Sequence, residues 1–227
     1  MQFVRKLGET LRDLQQWRDA ERYLTQYQAF FEEALASDPG DMRTKYDLVV
    51  IYESIMRLYE LQGKTERALS VSQRIVSLTD DRIRNEPANE IWHMSRGYYR
   101  YKLGTQLARV GDRDRALSAG RQGLSELMRV ADLANSPPQA LEQASEAFAL
   151  IEPSQLRNGE RALNYAERFA KLRPAEDVSA LYLLAFAQHA AGANKEAIET
   201  ARRALALLPP SSSSGVYYVR TELESIR

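Results

Sequence analysis

Cysteine is absent from this 227-residue chain, and histidine occurs only twice. The lack of cysteine excludes disulfides, thiolate nucleophiles and zinc sites built on thiolates. The two histidines, His93 and His189, lie far apart in the sequence, and neither belongs to an HxxxH or HExxH spacing. We therefore expect no metal site and no cofactor.

Catalytic patterns are also missing. The carboxylates are numerous, but they are scattered at spacings typical of solvent-facing helices, such as DRDR at 112–115. The two glycines of GRQG at 120–123 fall inside a predicted helix, where small residues permit close packing, so they do not indicate a phosphate loop. The kinase sequences HRD and DFG do not occur. We expect that the protein is not an enzyme.

An excess of charge of either sign is missing as well, because 31 basic residues balance 31 acidic ones. Nucleic-acid-binding domains usually carry a basic excess. RGYYRYK at 96–102 interleaves aromatic and basic residues, but consecutive residues of a helix point in different directions and cannot form one stacking surface. We expect no nucleic-acid partner.

Long apolar runs are absent too, so we expect no membrane span. The first residues, MQFVRKLGETLRDLQQW, contain no apolar segment followed by a cleavage site. These features favour a cytoplasmic location. An extracytoplasmic location stays open if the chain is a fragment of a membrane-anchored protein.

Five segments of the chain share one pattern: an apolar helix end, a short break, a polar pair and then an alanine. The alanine falls at Ala20, Ala68, Ala116, Ala162 and Ala197, at intervals of 48, 48, 46 and 35 residues. Self-similarity at such a period indicates an array of helical repeats.

The break between the two helices of a repeat is a glycine in three copies, at Gly63, Gly111 and Gly192. Glycine is suited to the left-handed conformation that ends a helix, and Gln15, at the same place in the first copy, is less suited. Ahead of the break, large and small residues alternate at helical spacing, with Gly104 as one small residue. This alternation predicts a face on which a neighbouring helix packs closely.

The pattern resembles the tetratricopeptide repeat (TPR) family. The last copy, at 180–209, matches the short form best, with residues of the expected size at Leu184, Ala185, Gly192, Ala197, Ala201, Ala204 and Pro209. The resemblance implies an all-α, right-handed α-solenoid of about five TPR-like helix pairs plus a C-terminal capping helix, in a single domain. Three long-period repeats would occupy 1–134, two shorter repeats 135–210, and the capping helix 211–227.

The first three copies exceed the family's period of roughly 34 residues by about 14, most simply through two more turns on each helix. DPGD at 38–41 and NEPANE at 85–90 predict helix boundaries, and NSPPQ at 135–139 predicts a helix that starts at Ser136. This long form looks like the extended repeats of bacterial signalling proteins, such as the tails of serine/threonine kinases.

In the TPR family, the first helix of each pair lines the concave surface of the solenoid. The resemblance therefore implies a partner-binding groove at Glu53, Arg57, Tyr98, Tyr101, Lys102, Thr105, Tyr182, Phe186 and His189. Tyrosine suits a binding surface because it combines a large contact area with one polar group. Packing of these tyrosines against neighbouring helices is the alternative that the residues leave open. The paired Lys and Asn of a carboxylate clamp are missing from the matching positions.

The function that the resemblance implies is a non-catalytic scaffold that binds a protein or peptide. Two alternatives stay open: a regulatory or sensor tail of a multidomain bacterial signalling enzyme such as a serine/threonine kinase, and a self-association module that forms a homodimer. Uneven charge motivates the second alternative. Residues 21–60 hold four basic and eight acidic residues, whereas 91–130 hold eight basic and three acidic ones.

Overall fold

The structure is a computed structural model that describes residues 2–208 and 220–226. Within these ranges the regular secondary structure is helical throughout, with one 3-10 helix at Ser154–Leu156 and a further helical stretch at 220–224. The ten α-helices are α1 (Gln2–Asp13), α2 (Trp17–Ser37), α3 (Met42–Leu61), α4 (Thr65–Asn85), α5 (Glu90–Arg109), α6 (Arg113–Ala131), α7 (Pro138–Leu150), α8 (Gly159–Ala170), α9 (Val178–Ala190) and α10 (Asn194–Leu207).

Consecutive helices pack against each other as five pairs, so the predicted all-α repeat solenoid is confirmed. The predicted long helices are confirmed from α2 to α6 but not at α1, which has 12 residues. For example, α3 has 20 residues and α4 has 21, whereas α7 has 13 and α8 has 12. The difference corresponds to about two helical turns at 3.6 residues per turn. The capping helix predicted at 211–227 lies partly outside the described residues.

Two of the predicted helix starts are confirmed, and one is displaced. The side chain of Asp41 accepts a hydrogen bond from the backbone N–H of Arg43, and Asn89 caps α5 in the same way. The predicted start at Ser136 is wrong, because α7 begins at Pro138 and its N-cap is Pro137. Pro137 itself precedes a proline, which disfavours the helical region and holds its backbone extended, with ψ at 143°.

The turns inside four of the five helix pairs are the same. Their break residues all adopt positive φ: Gln15 at 58°, Gly63 at 67°, Gly111 at 86° and Gly192 at 81°. After each break, the next backbone N–H donates to the carbonyl five residues earlier, as from Lys64 to Tyr59 at 2.9 Å. This is the hydrogen bond of a Schellman C-cap, and it requires the left-handed residue.

Replacing Gln15 with glycine is expected to stabilise the fold. A side chain in the left-handed region costs roughly 1–2 kcal/mol, and the greater freedom of glycine in the unfolded chain offsets part of that gain. We expect a net increase of about 0.5–1 kcal/mol in the free energy of unfolding, measured by urea denaturation. Gly63→Ala should show the opposite sign. A lower stability for Gln15→Gly would contradict the left-handed turn.

The five repeat alanines are fully buried. Ala20, Ala68, Ala116, Ala162 and Ala197 are all 0% exposed. All of them except Ala116 belong to one of three hydrophobic core clusters. The last cluster includes Leu223 and Ile226, which pack beside α9 and α10.

Ala116→Leu is expected to lower the free energy of unfolding by about 1–3 kcal/mol, because the larger side chain overpacks a site with no free space. Ser118→Leu, at an exposed position of the same helix, is the control and should change stability by less than about 0.5 kcal/mol. Thermal unfolding followed by circular dichroism measures both. An unchanged midpoint for Ala116→Leu would show that the repeat register is wrong there.

The helices α5 and α6 approach each other through glycines on both sides. A Cβ atom added at Gly97 would lie 3.0 Å from the carbonyl oxygen of Gly123, and one added at Gly104 would lie 2.9 Å from the backbone nitrogen of Gly120. The two helices are therefore in backbone contact, as the small residues of GRQG predicted.

Candidate functional site

A cavity of about 910 Å³ runs along the concave side of the solenoid. All five first helices, α1, α3, α5, α7 and α9, contribute side chains to it. Glu222, from the C-terminal helical stretch, lines the same cavity as Arg5 of α1. The curvature of the solenoid thus brings side chains from all five repeats to one space.

Seven of the nine groove residues predicted from the sequence line this cavity: Glu53, Arg57, Tyr98, Tyr101, Lys102, Thr105 and Tyr182. The other two, Phe186 and His189, are not among the lining residues. Phe186 packs against the ring of Tyr182 at 4.8 Å, and His189 is exposed, with its Nδ1 3.1 Å from Asn194 Oδ1.

Lys102 lines the cavity beside two aromatic rings and one carboxylate. Its Nζ donates to Glu146 Oε1 at 2.9 Å, and it lies 5.4 Å from the ring centre of Tyr98 and 5.1 Å from that of Tyr101. Burial by itself would lower the pKa of Lys102, but Glu146 and the two tyrosines raise that pKa well above its usual value. The ammonium group therefore stays charged, and both tyrosine rings already face a cation.

The rings of Tyr98 and Tyr101 line the cavity beside Lys102. We call these three residues, together with Glu53 and Glu146, the cavity floor. Tyr101 is only 3% exposed, and its hydroxyl donates to Glu146 at 3.3 Å. Tyr98 is partly buried and packs against the rings of Tyr99 and Tyr101. Burial raises the pKa of Tyr101 and of Tyr98, so both hydroxyls stay protonated. The packing role that the sequence left open is present in the structure, at the base of the groove.

Glu53 differs from the other charged residues of the cavity floor. It accepts a hydrogen bond from the hydroxyl of Tyr99 at 3.1 Å, and it takes part in none of the ion pairs that the described residues form. Burial raises the pKa of its carboxyl, and nearby Lys102 offsets part of that rise. Glu53 is therefore a largely buried acid whose hydrogen-bond donor is a neutral hydroxyl group.

Three charged residues of the first repeat have the opposite sign to the equivalent residues of the second repeat. Arg5, Glu9 and Arg12 on α1 stand 48 residues before Glu53, Arg57 and Glu60 on α3, and each has the opposite sign to its equivalent. We call these two sets the sign-reversed triplets. Their charges are partly satisfied within each helix, since Arg5 lies 2.6 Å from Glu9 and Arg57 lies 3.7 Å from Glu60.

The contributions of α7 and of the loop after it were missed in the sequence. Glu146 and Leu150 line the cavity. A signal for them was available, because the interval of 46 residues from Ala116 to Ala162 places Glu146 one residue from the equivalent of Tyr101. No such signal exists for Glu152 and Arg157, because their loop replaces the repeated turn.

One edge of the cavity is basic. Arg109, at the end of α5, is 43% exposed, and its Nη2 lies 3.5 Å from Glu152 Oε1. Arg157 lines the same space and donates from Nε to the backbone carbonyl of Ile151 at 2.9 Å. Besides Glu152, the carboxylate of Glu60 lines the cavity near this edge, and it accepts a hydrogen bond from Gln106 at 2.7 Å.

Within residues 2–208 and 220–226, no group of three or more His, Asp or Glu side chains is arranged to hold a metal ion. His93 is buried, and its Nε2 lies 2.8 Å from the carbonyl oxygen of Pro87. A helix long and apolar enough to cross a membrane is likewise not found in the described part of the chain.

Comparison with solved structures identifies the fold. A thermophilic TPR protein from Thermus thermophilus superposes with a TM-score of 0.58 at 19% identity, covering 99% of this chain and 97% of its own. TPR-like repeats of a putative kinesin light chain from Podosopora anserina give a TM-score of 0.51 at 17% identity, covering 91% and 93%. The fold is therefore that of a TPR solenoid. No protein-family model matches the chain, and no curated protein matches it in sequence.

Proposed function

We propose that the protein is a non-catalytic scaffold that binds a short peptide segment of a partner protein in the central cavity. The observation that carries this proposal is the cavity itself, because side chains from five separate helices converge on one space of about 910 Å³. That volume lies within the roughly 300–1,000 Å³ of ligand sites. The mixture of aromatic, aliphatic and charged side chains suits a peptide, which offers both apolar and charged groups.

Site-specific photo-crosslinking tests the proposal. A photoreactive benzoylphenylalanine at Leu61, which lines the cavity at the end of α3, is compared with the same residue at Arg121, which is exposed on α6. Both proteins are first shown by circular dichroism to be folded. In lysate of the source cells, we expect position 61 to capture specific proteins that position 121 does not, as identified by mass spectrometry. Equal capture at both positions would contradict binding in the cavity.

The two alternatives from the sequence are less well supported. Self-association was inferred from the acidic stretch at 21–60 and the basic stretch at 91–130, but Arg96 and Arg100 of the basic stretch both pair with Asp80 and Glu126 of the same chain. A mass that falls with added salt in light scattering would restore that alternative. The role of a regulatory tail in a signalling enzyme, such as a serine/threonine kinase, stays a prediction from resemblance.

A further inference from the structure

The charged residues that line the cavity differ in the partners that compensate them. Arg5 pairs with Glu9 at 2.6 Å, and Lys102 pairs with Glu146 at 2.9 Å. Each of these two cations is thus in contact with one carboxylate. Glu53, which lines the same cavity, accepts its hydrogen bond from the neutral hydroxyl of Tyr99. A buried carboxylate is costly unless a cation or several donors compensate it.

The floor is already suited to an ammonium or guanidinium group. Lys102 shows this within the molecule, since its ammonium group lies beside two tyrosine rings and one carboxylate. A basic side chain from a ligand would find the carboxylate of Glu53 in the same space. Such a contact would remove the mismatch that the protein carries without a ligand.

The basic edge lies at a defined offset from Glu53. In the repeat register of 48 residues, Arg109 is equivalent to Leu61, eight residues after Glu53. Eight residues of helix correspond to on the order of 12 Å along the helix axis. An extended peptide that runs along the helix direction covers this axial distance in about four residues.

We propose that the cavity selects an extended segment with a lysine or arginine that contacts Glu53 and an aspartate or glutamate about four residues away that contacts the edge at Arg109 and Arg157. The inference rests on the proposed peptide-binding function and specifies its ligand.

Selection from a displayed library of random heptapeptides tests the ligand class. The baits are the wild-type protein, Glu53→Gln, and the control Glu66→Gln, whose residue is exposed on α4. We expect the wild type and the control to enrich peptides with a basic and an acidic residue about four positions apart. For a synthetic peptide of the enriched sequence, measured by fluorescence anisotropy, we expect Glu53→Gln to weaken binding on the order of 30-fold.

The outcomes separate the two proposals. Peptides enriched without a basic residue, or a basic preference that Glu53→Gln retains, would overturn the ligand class and leave peptide binding intact. Enrichment of no peptide by any of the three baits would overturn short-peptide binding itself, and the ligand class with it.

The melting temperature of Glu53→Gln distinguishes an uncompensated charge at Glu53 from a purely structural role. The two explanations predict shifts of opposite sign. Because burial raises the pKa of Glu53 above its unfolded value, its ionised form is disfavoured in the folded state. Stability is therefore lost as the pH rises through the folded pKa. We expect Glu53→Gln to melt above the wild type at pH 7 and to lose this advantage below the ordinary glutamate pKa. A lower melting temperature of Glu53→Gln at pH 7 would show that the ionised Glu53 stabilises the fold, and it would contradict an uncompensated charge at this position.

Discussion

Gly123→Ala is expected to destabilise the protein strongly, although the same change inside a helix usually stabilises by about 1 kcal/mol. The added Cβ would lie 2.5 Å from the backbone nitrogen of Tyr101 and 2.7 Å from the carbonyl oxygen of Gly97. Both atoms belong to the backbone of α5, so no side chain can move aside. The helices α5 and α6 must separate, at a cost at or above the upper end of roughly 1–3 kcal/mol.

Urea denaturation of Gly123→Ala beside Gln122→Ala measures this effect. Gln122 is exposed on the same helix, so its replacement should change stability by less than about 0.5 kcal/mol. A loss of about 3 kcal/mol would lower the melting temperature by roughly 6–12 °C in a chain of this size. If Gly123→Ala were as stable as the wild type, the two helices would be farther apart than the structure places them.

Lys102→Met is the second change with a large expected effect. The lysine side chain is only 15% exposed and that of Glu146 only 25%, so the pair is well shielded from water. Without the ammonium group, Glu53 and Glu146 would share the cavity floor with no cation in direct contact with either. Breaking a buried ion pair in this way costs about 3–5 kcal/mol when the pair is fully buried. We expect roughly 2–4 kcal/mol here, because the pair is partly exposed.

Two comparisons test this explanation for Lys102. Glu146→Gln introduced together with Lys102→Met should recover part of the lost stability, because it removes one of the uncompensated charges. Lys195→Met, at an exposed position of α10, should have almost no effect. Because the pKa of Lys102 is raised above its unfolded value, its contribution should persist through neutral pH and be lost only as the pH rises through the folded pKa. Equal stability of Lys102→Met and the wild type would refute the pairing.

The fold was predictable because its determinants are local and repeat along the chain. The alanines and break glycines recur in the sequence, and the same backbone turn forms at each break. Gln15 adopts the same positive φ because the residues around it form the same repeated turn, even though a residue with a side chain disfavours the left-handed conformation. The helix start predicted at Ser136 was wrong because two local preferences compete there. The conformational restriction on the residue before a proline outweighed the preference of serine for the start of a helix.

The candidate site was less predictable, because it depends on contacts between repeats. The register placed Tyr98 and Tyr101 on the concave side, but it could not show that Lys102 of the same helix would face both rings. Nor could the register show that the hydroxyl of Tyr99 donates a hydrogen bond to Glu53 of the preceding repeat. The loop at 151–158 interrupts the periodicity, so its residues could not be assigned to the cavity from sequence.

The sign-reversed triplets have a consequence for how the chain assembles. A characteristic folding error of tandem repeats is incorrect stacking, in which a repeat packs on a copy of itself from another molecule. If the second repeat stacked on a second repeat, carboxylates would meet carboxylates at two positions and guanidinium groups would meet at the third. Like charges in such an arrangement repel, whereas the native neighbours attract. The sign reversal thus favours the native stacking of the first two repeats over stacking of the second repeat on a copy of itself during synthesis and refolding.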